Sequence, residues 1–532
     1  MSAATVCELF DATASRHADR DALRTRGGEV TITWREYAQR VRGIAAGLAA
    51  LGVKRGDTLA LMLANRPEFH LVDTAALHLG AVPFSLYNSS SPKQIAYLLE
   101  DAAPRIVVTE RAFADVIPRS ASIKHVVVVD GTPSLSDLER RGARDFDFEA
   151  AWHAVEPSDL LTLIYTSGTT GPPKGVQITH GNYLAELRAF DSLGGLEAGR
   201  VVSYFPMAHI AERVISHYHA VACGHTVTCC PDARQLTAYL PEVRPTFFFA
   251  VPRIWEKLKA ALEAEVVTVE RLGLGEARHI LTGAAPTPVD VLEFFRARGI
   301  EILEVYGLSE TTGLATANPP GRARLGTVGL PAAGVELRLA DDGEVLVRGG
   351  IVTAGYRNDP ERTAEVFGAD GWFRTGDVGE LDDDGYLRIV DRKKELIINA
   401  AGENMSPANI EAQLKSSSPL IGQACVIGDR RPYNVALIVL DPDGATAFAG
   451  DRPLAELAHD TAVTEEVASG VERANAHLSR PEQIKRFCVL DADWEAAGDE
   501  LTPTLKLKRR PVEQKYAEAI EALYAEGPGA GG

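Results

Sequence analysis

Apolar positions in the first third of the chain alternate between helical and extended spacing. Tyr37 to Leu51 carries apolar residues at helical intervals and is closed by Gly52. Leu59 to Leu63 follows a turn at Gly56-Asp57 and reads as a buried strand. Glu68 to Leu79 reads as a helix, and Ala81-Val82-Pro83 opens the next extended piece. Ile106 to Thr109 and His125 to Val129 are β-branched runs of the buried-strand kind. Such alternation predicts an α/β fold with largely parallel sheets. From about Gly334 the texture changes. Val335 to Leu339, Gly343 to Val347 and Tyr386 to Val390 are short strands separated by Asp/Gly turns, which predicts a meander or small barrel. After Asp391 the pattern is compact α+β. A helix over Ser406 to Lys415 opens on Ser-Pro, strands cover Ala424 to Gly428 and Asn434 to Leu440, and Asp451 to Leu478 is helical. The tail from Gly527 to Gly532 has the composition of a disordered terminus. No internal repeat occurs.

Composition narrows the function classes. A chain of 532 residues holds three to four units at about 150 residues each. The net charge of −18 and pI near 5.3 argue against a general nucleic-acid binder and against a polybasic membrane-surface protein. With 45% hydrophobic and 24% charged residues, disorder over most of the length is excluded. The six cysteines form no CxxC pair, which points to a reducing compartment rather than to a disulfide or zinc framework. Residues 1–10 show no basic-then-apolar signal, and the apolar runs are too short to cross a bilayer. A soluble cytoplasmic protein is expected, with transient membrane contact and either a monomer or a homodimer left open.

Several stretches carry candidate chemistry. After the strand Leu160 to Tyr165 come Thr166, Ser167, Gly168, Thr169, Thr170, Gly171, two prolines and Lys174. Glycines let backbone amides approach an anion, hydroxyls add donors and the lysine adds a cation, a set that suits polyphosphate. The spacing is not that of a Walker A loop, and a solvated turn has the same composition. A second stretch follows a strand expected over Ile300 to Leu303. It holds Glu304, Val305, Tyr306, Gly307, Ser309 and Glu310. An aromatic beside a glycine turn can lie against a purine, and a carboxylate suits Mg²⁺; a strand, turn and capping box would look alike. The third, Thr375-Gly376-Asp377, offers an acid to ribose hydroxyls or is a plain turn. The fourth runs from Asp391 through Arg392, Lys393 and Lys394 to Gly402-Glu403-Asn404. The last, Leu501 to Arg510, reads alone as an exposed basic tail.

In this order the motifs resemble the adenylate-forming superfamily of acyl-CoA synthetases, luciferases and peptide-synthetase adenylation domains, from about Phe10 to about Tyr516. Ser203 to Arg213 and Ala250 to Lys257, with its VPRIWEK run, are similar to the long-chain fatty acyl branch. Leu505 also fits that branch, where short-chain relatives carry glycine. The chain is shorter than many long-chain members.

The resemblance implies a fold of αβα-type subdomains plus a small barrel over residues 1–390, a hinge at 391–394, and a small mobile α+β domain over 395–532. It implies two half-reactions: a carboxylate meets ATP to give acyl-AMP and pyrophosphate, and CoA then takes the acyl group. Thr166 to Lys174 would cradle the β- and γ-phosphates, with Thr169 and Glu310 on Mg²⁺. Tyr306 would stack on adenine in a pocket lined by Gly283, Ala284, Glu304 and Val305. Ser309 would touch the α-phosphate, Asp377 the ribose, and Arg392 ribose or phosphate. Lys506 would bridge the carboxylate and the α-phosphate, and His209 would flank the carboxylate. Lys394 matches the hinge, and Gly402, Glu403 and Asn404 would approach the pantetheine of CoA. Two alternatives share the first step: a ligase that loads a carrier protein, and a CoA ligase for a medium-chain or aromatic acid. The absence of an extra loop between Gly355 and Asp391 favours CoA.

Neighbouring residues have simpler readings. His209, His217 and His219 form no HExxH pattern. Phe247 to Phe249 reads as core strand and Cys229-Cys230 as buried apolar residues. Trp255 suits packing and an acyl tunnel about equally.

Overall fold

The computed structural model describes residues 3–142, 146–166, 172–195, 197–264, 268–400, 404–495, 498–502 and 506–525. The polar stretch before Tyr37 starts its helix three residues early. Thr33 accepts the Glu36 N–H and Glu36 accepts the Thr33 N–H, a capping box that opens the helix at Trp34 and runs to Ala50. The apolar runs beyond it build a six-stranded sheet. Its order is His125–Val128, Ile106–Thr109, Thr58–Met62, Val82–Ser85, Leu160–Thr166 and Lys174–Thr179. Every neighbouring pair is parallel except the last, which is antiparallel. The strands Thr58–Met62, Val82–Ser85 and Ile106–Thr109 are buried along their whole length, as their largely apolar character requires.

A second sheet places Phe247–Ala250, His279–Thr282 and Leu303–Tyr306 in parallel, followed by two short antiparallel strands. Here the strand boundary expected at Ile300 to Leu303 moves. Ile300 and Ile302 fill the core outside the strand, and Glu304 to Tyr306 themselves carry the pairing, to Thr282 on one side and to Thr316 and Ala317 on the other. A third, four-stranded sheet contains Asp21–Thr25, Thr31–Thr33, Arg200–Ser203 and Thr226–Cys229. The small barrel takes the form of an antiparallel meander of Val335–Leu339, Glu344–Gly349, Phe373–Leu381 and Leu387–Arg392.

Four core clusters are built from residues up to 389, and two more from residues 397–524. In the latter region the central sheet is Ile421–Ile427, Asn434–Leu440 and Ile484–Val489. Side chains alternate faces along a strand. Ala424 and Val426 therefore meet the helices Pro407–Ser417 and Thr461–His477, while Cys425 and Ile427 meet Arg509–Lys515 and Ala517–Ala525. The single helix expected over Asp451 to Leu478 is two, Leu454–Leu457 and Thr461–His477. Asp460 breaks it, because its carboxylate accepts the N–H groups of Ala462 and Val463 and so starts a new helix. Among the described residues no helix is long and apolar enough to cross a membrane.

The histidines near the site are held by the fold. His217 Nε2 pairs with Asp73 Oδ1 at 2.9 Å and its Nδ1 meets His70 Nδ1 at 3.0 Å. His219 Nε2 pairs with Glu186 Oε2 at 2.9 Å. Arg213 is fully buried, bonded to Asp73, to Ser85 Oγ at 2.7 Å and to Tyr218 Oη at 2.9 Å. All three phenylalanines of Phe247 to Phe249 are buried core, and so are Cys229 and Cys230.

Candidate active site

The strand ends set the first half of the site. Thr166 pairs directly with Lys174 across the antiparallel edge, so the strands on either side of the Thr/Gly/Pro stretch are neighbours in the sheet. Ser167, Gly168, Thr169, Thr170 and Gly171 lie outside the described residues. Lys174 Nζ sits 4.7 Å from the centroid of the Tyr356 ring. Loss of solvent lowers the Lys174 pKa. Arg362 and Lys394 lower it further, and Glu310 opposes them. Tyr356 was not a candidate in the sequence. Its hydroxyl donates to Glu310 Oε1 at 2.8 Å, and its backbone lies on the Lys174 strand through a bridge to Val176. One tyrosine thus ties together Lys174, the candidate phosphate lysine, and Glu310, the candidate metal carboxylate. The only sequence signal for it is its place after Gly355, before Asn358-Asp359-Pro360.

The Leu303–Tyr306 strand sets the second half. Glu304 and Tyr306 are two residues apart and share a face. Tyr306 Oη donates to Asp377 Oδ2 at 2.6 Å. Asp377 is buried, and Arg392 Nε reaches its Oδ1 at 2.7 Å. Gly376, at φ +73°, supplies the left-handed residue that precedes Asp377 in the strand. Gly283 lies under Val305, where a Cβ would come 2.8 Å from the Val305 carbonyl oxygen. Ala284 follows it, exposed. Glu304 is buried, and desolvation pushes its pKa up to about 8 against one N–H from Gly326 at 3.2 Å. Ser309 and Glu310 are buried on a 3-10 turn, Ser309–Thr311. The capping contact there runs from the Leu308 N–H to Thr311 Oγ1 at 2.9 Å, not from Ser309.

The end of the chain closes the crevice. The Lys506 carbonyl accepts the Thr502 N–H at 2.8 Å, and the Lys506 N–H donates to Thr502 Oγ1 at 3.0 Å. Loss of solvent and then the Arg392 charge lower the Lys506 pKa, while Asp377, Glu395 and Glu310 pull it back up. His209 feels Lys506 directly. Desolvation and that charge push its pKa down to about 3, so the ring is neutral at pH 7. Its Nδ1 accepts the Ala211 N–H at 3.2 Å, which places the proton on Nε2. Asp377 is raised by burial, with Arg392 and Lys506 opposing. Lys506, His209, Glu310, Asp377 and Arg392 therefore converge, and Lys174 and Lys394 stand beside them. Of the remaining trio, Gly402 and Glu403 lie outside the described residues. Asn404 begins a two-residue strand paired with Ile398.

The basic run Lys506 to Arg510 is not a loose tail. Arg509 is the first residue of a helix, and its guanidinium makes a two-point pair with Glu411 at 2.7 and 3.0 Å. A bond to the Val426 carbonyl at 3.1 Å adds to it.

The AMP-binding enzyme family matches residues 10–357, and the AMP-binding enzyme C-terminal domain matches residues 394–527. This chain belongs to the AMP-binding enzyme family. It is 47% identical to the putative fatty-acid–CoA ligase fadD11 of Mycobacterium tuberculosis H37Rv, over 74% of this chain and 79% of that protein. It is 35% identical to the long-chain-fatty-acid–CoA ligase FadD15 of Mycobacterium bovis, over 93% and 92%. Among solved structures it resembles the o-succinylbenzoate-CoA synthetase MenE of Bacillus subtilis in complex with ATP and magnesium. That match has a TM-score of 0.76 and 26% identity, over 94% of this chain and 98% of that one.

Proposed function

We propose that this AMP-binding enzyme converts a long-chain fatty acid, ATP and CoA into acyl-CoA, AMP and pyrophosphate by way of acyl-AMP. The observation that carries the reading is the convergence of Lys506 with Asp377, Arg392, Glu310 and His209 in one crevice. In the first step a carboxylate oxygen bonds to the α-phosphorus and the bond to pyrophosphate breaks. In the second the CoA sulfur bonds to the acyl carbon and AMP leaves. An anion must approach a polyanion, so placed cations are the main catalytic resource.

Lys506 bridges the carboxylate and the α-phosphate, and Arg392 and Asp377 hold the ribose end. Thr166 and Lys174 serve the outer phosphates together with Ser167, Gly168, Thr170 and Gly171. Tyr306 stacks on adenine over Gly283, Ala284, Glu304 and Val305, and Ser309 touches the α-phosphate. His209, neutral, orients the carboxylate by hydrogen bonding rather than by charge. Mg²⁺ fits the oxygen donors Glu310 and Thr169 and, when bound, supplies phosphate neutralisation. Gly402, Glu403 and Asn404 serve the thiol arm. Residues 391–394, Lys394 among them, form the hinge between units 1–390 and 395–532, and the reaction takes place in the cytoplasm.

The test is pyrophosphate exchange over a chain-length series of fatty acids, with aromatic acids alongside and mass detection of acyl-CoA. Exchange that is strongest with long-chain acids, with acyl-CoA as product, is expected. An enzyme that makes acyl-AMP but passes the acyl group only to a carrier protein would overturn the CoA assignment. A preference for aromatic acids would overturn the substrate class.

A further inference from the structure

The VPRIWEK run has a use that the chemistry above does not absorb. Its helix, Pro252–Glu263, buries Trp255 edge to face between Phe248 and Phe295, with centroids at 5.5 and 5.1 Å. Trp255 is a packing residue. Arg253 and Lys257, four apart and so on one face, point away from that core. Arg253 Nη2 donates to Asp441 Oδ2 at 2.6 Å, with Nη1 on Glu256 Oε2 at 3.0 Å. Lys257 Nζ meets Asp443 Oδ2 at 3.1 Å. Asp441 and Asp443 stand at the start of the helix Pro442–Ala449, which Asp441 caps by accepting the Gly444 N–H at 3.0 Å. Two ion pairs therefore join the body of the protein to the unit that carries Lys506.

The pairs are unequal. Lys257 and Asp443 are 51% and 86% exposed, and such a pair contributes little. Arg253 and Asp441 are 32% and 13% exposed, so theirs is the better shielded. The arrangement answers an electrostatic problem. Lys506 enters a crevice where Arg392 repels it while Asp377, Glu395 and Glu310 attract it. In so mixed a field the pose gains from an ion pair set away from the crevice, which acts before any substrate has arrived.

We infer that Arg253 and Asp441 are positioning residues: their ion pair holds the C-terminal unit with Lys506 at the acid-activating crevice, and it parts before the thiol step. The inference rests on the two-step reading above.

The test uses the full-length protein with palmitate. Pyrophosphate exchange reports the first step, and transfer from supplied palmitoyl-AMP to CoA reports the second. Arg253→Met keeps most of the stem, and Asp441→Asn keeps a capping side chain. Each is expected to slow exchange about tenfold, and the double variant to be no slower than the worse single one. Thiol transfer should hold or rise. Raising salt from about 0.05 to about 0.5 M should slow exchange in the wild type and not in the double variant. Equal loss in both steps, additive losses, or unchanged exchange would overturn the inference. Failure of the functional reading shows separately, as a wild-type enzyme that neither exchanges pyrophosphate with palmitate nor forms its CoA thioester.

Discussion

At the scale of single residues, Lys506 is the sharpest case. It is the crevice cation contributed by the C-terminal unit, and charges from three carboxylates and one arginine reach it. Lys506→Ala is expected to lower acyl-AMP formation by at least a hundredfold, as loss of a transition-state charge contact does. Transfer from supplied acyl-AMP to CoA should persist; equal loss of both would remove the assigned role. Asp377 and Tyr306 stood as candidates because each sits in a short run that could suit ribose or purine, whereas Lys506, in a run that alone reads as a basic tail, was a candidate only through the family resemblance. Tyr356 was not, because its partner Glu310 lies 46 positions away. Arg253 and Asp441 are 188 apart. No local pattern encodes such a meeting.

Elements were more legible than their edges. The runs Ile106 to Thr109, Val335 to Leu339 and Asn434 to Leu440 have the bounds that their apolar residues announce. Edges moved where a polar side chain intervened: at Thr33, which starts a helix early, and at Asp460, which divides one. The helix that begins at Arg509 shows the same limit. Its charge pattern suggested solvent, yet Arg509 serves as an internal anchor, joined to Glu411 on the Pro407–Ser417 helix. Both side chains are largely buried, at 13% and 9% exposure. Removing one partner leaves the other charge unpaired in a poor solvent. Glu411→Gln is therefore expected to destabilise the C-terminal unit by about 3 kcal/mol. Calorimetry would show this as an earlier transition, and hydrogen exchange as lost protection over Ile421–Ile427 and Arg509–Lys515. Unchanged protection there would count against the anchor.

Taken whole, the protein carries a net charge of −18, while its proposed substrates are anions. The cations of the crevice are a local exception to a surface that repels. The molecule also holds buried neutral histidines that make it sensitive to acid. His180 Nδ1 accepts the Val6 N–H at 3.1 Å, and His225 Nδ1 accepts the Gly199 N–H at 2.9 Å, so neither can take a proton there without losing a bond. Desolvation is the main cause that pushes their pKa values down to about 4 and about 3. The unfolded chain, with histidines near 6.5, then binds more protons than the native one between about pH 6.5 and pH 4. Stability rises with pH in that window and is lost as pH falls, by about 3 kcal/mol for His180 and about 5 kcal/mol for His225 once titration is complete. Melting temperatures at stepped pH should fall between pH 6.5 and pH 4, and a flat profile would contradict the assignment. The helix Pro252–Glu263 has a different consequence. One side of it is locked into the core by Trp255, and the other meets the C-terminal unit through Arg253. Changes a mere two positions apart should then produce two unlike defects: a protein that fails to accumulate in the first case, and in the second a well-folded one that is slow in its first half-reaction. A run of seven letters that looks like one signature thus serves two separate contacts.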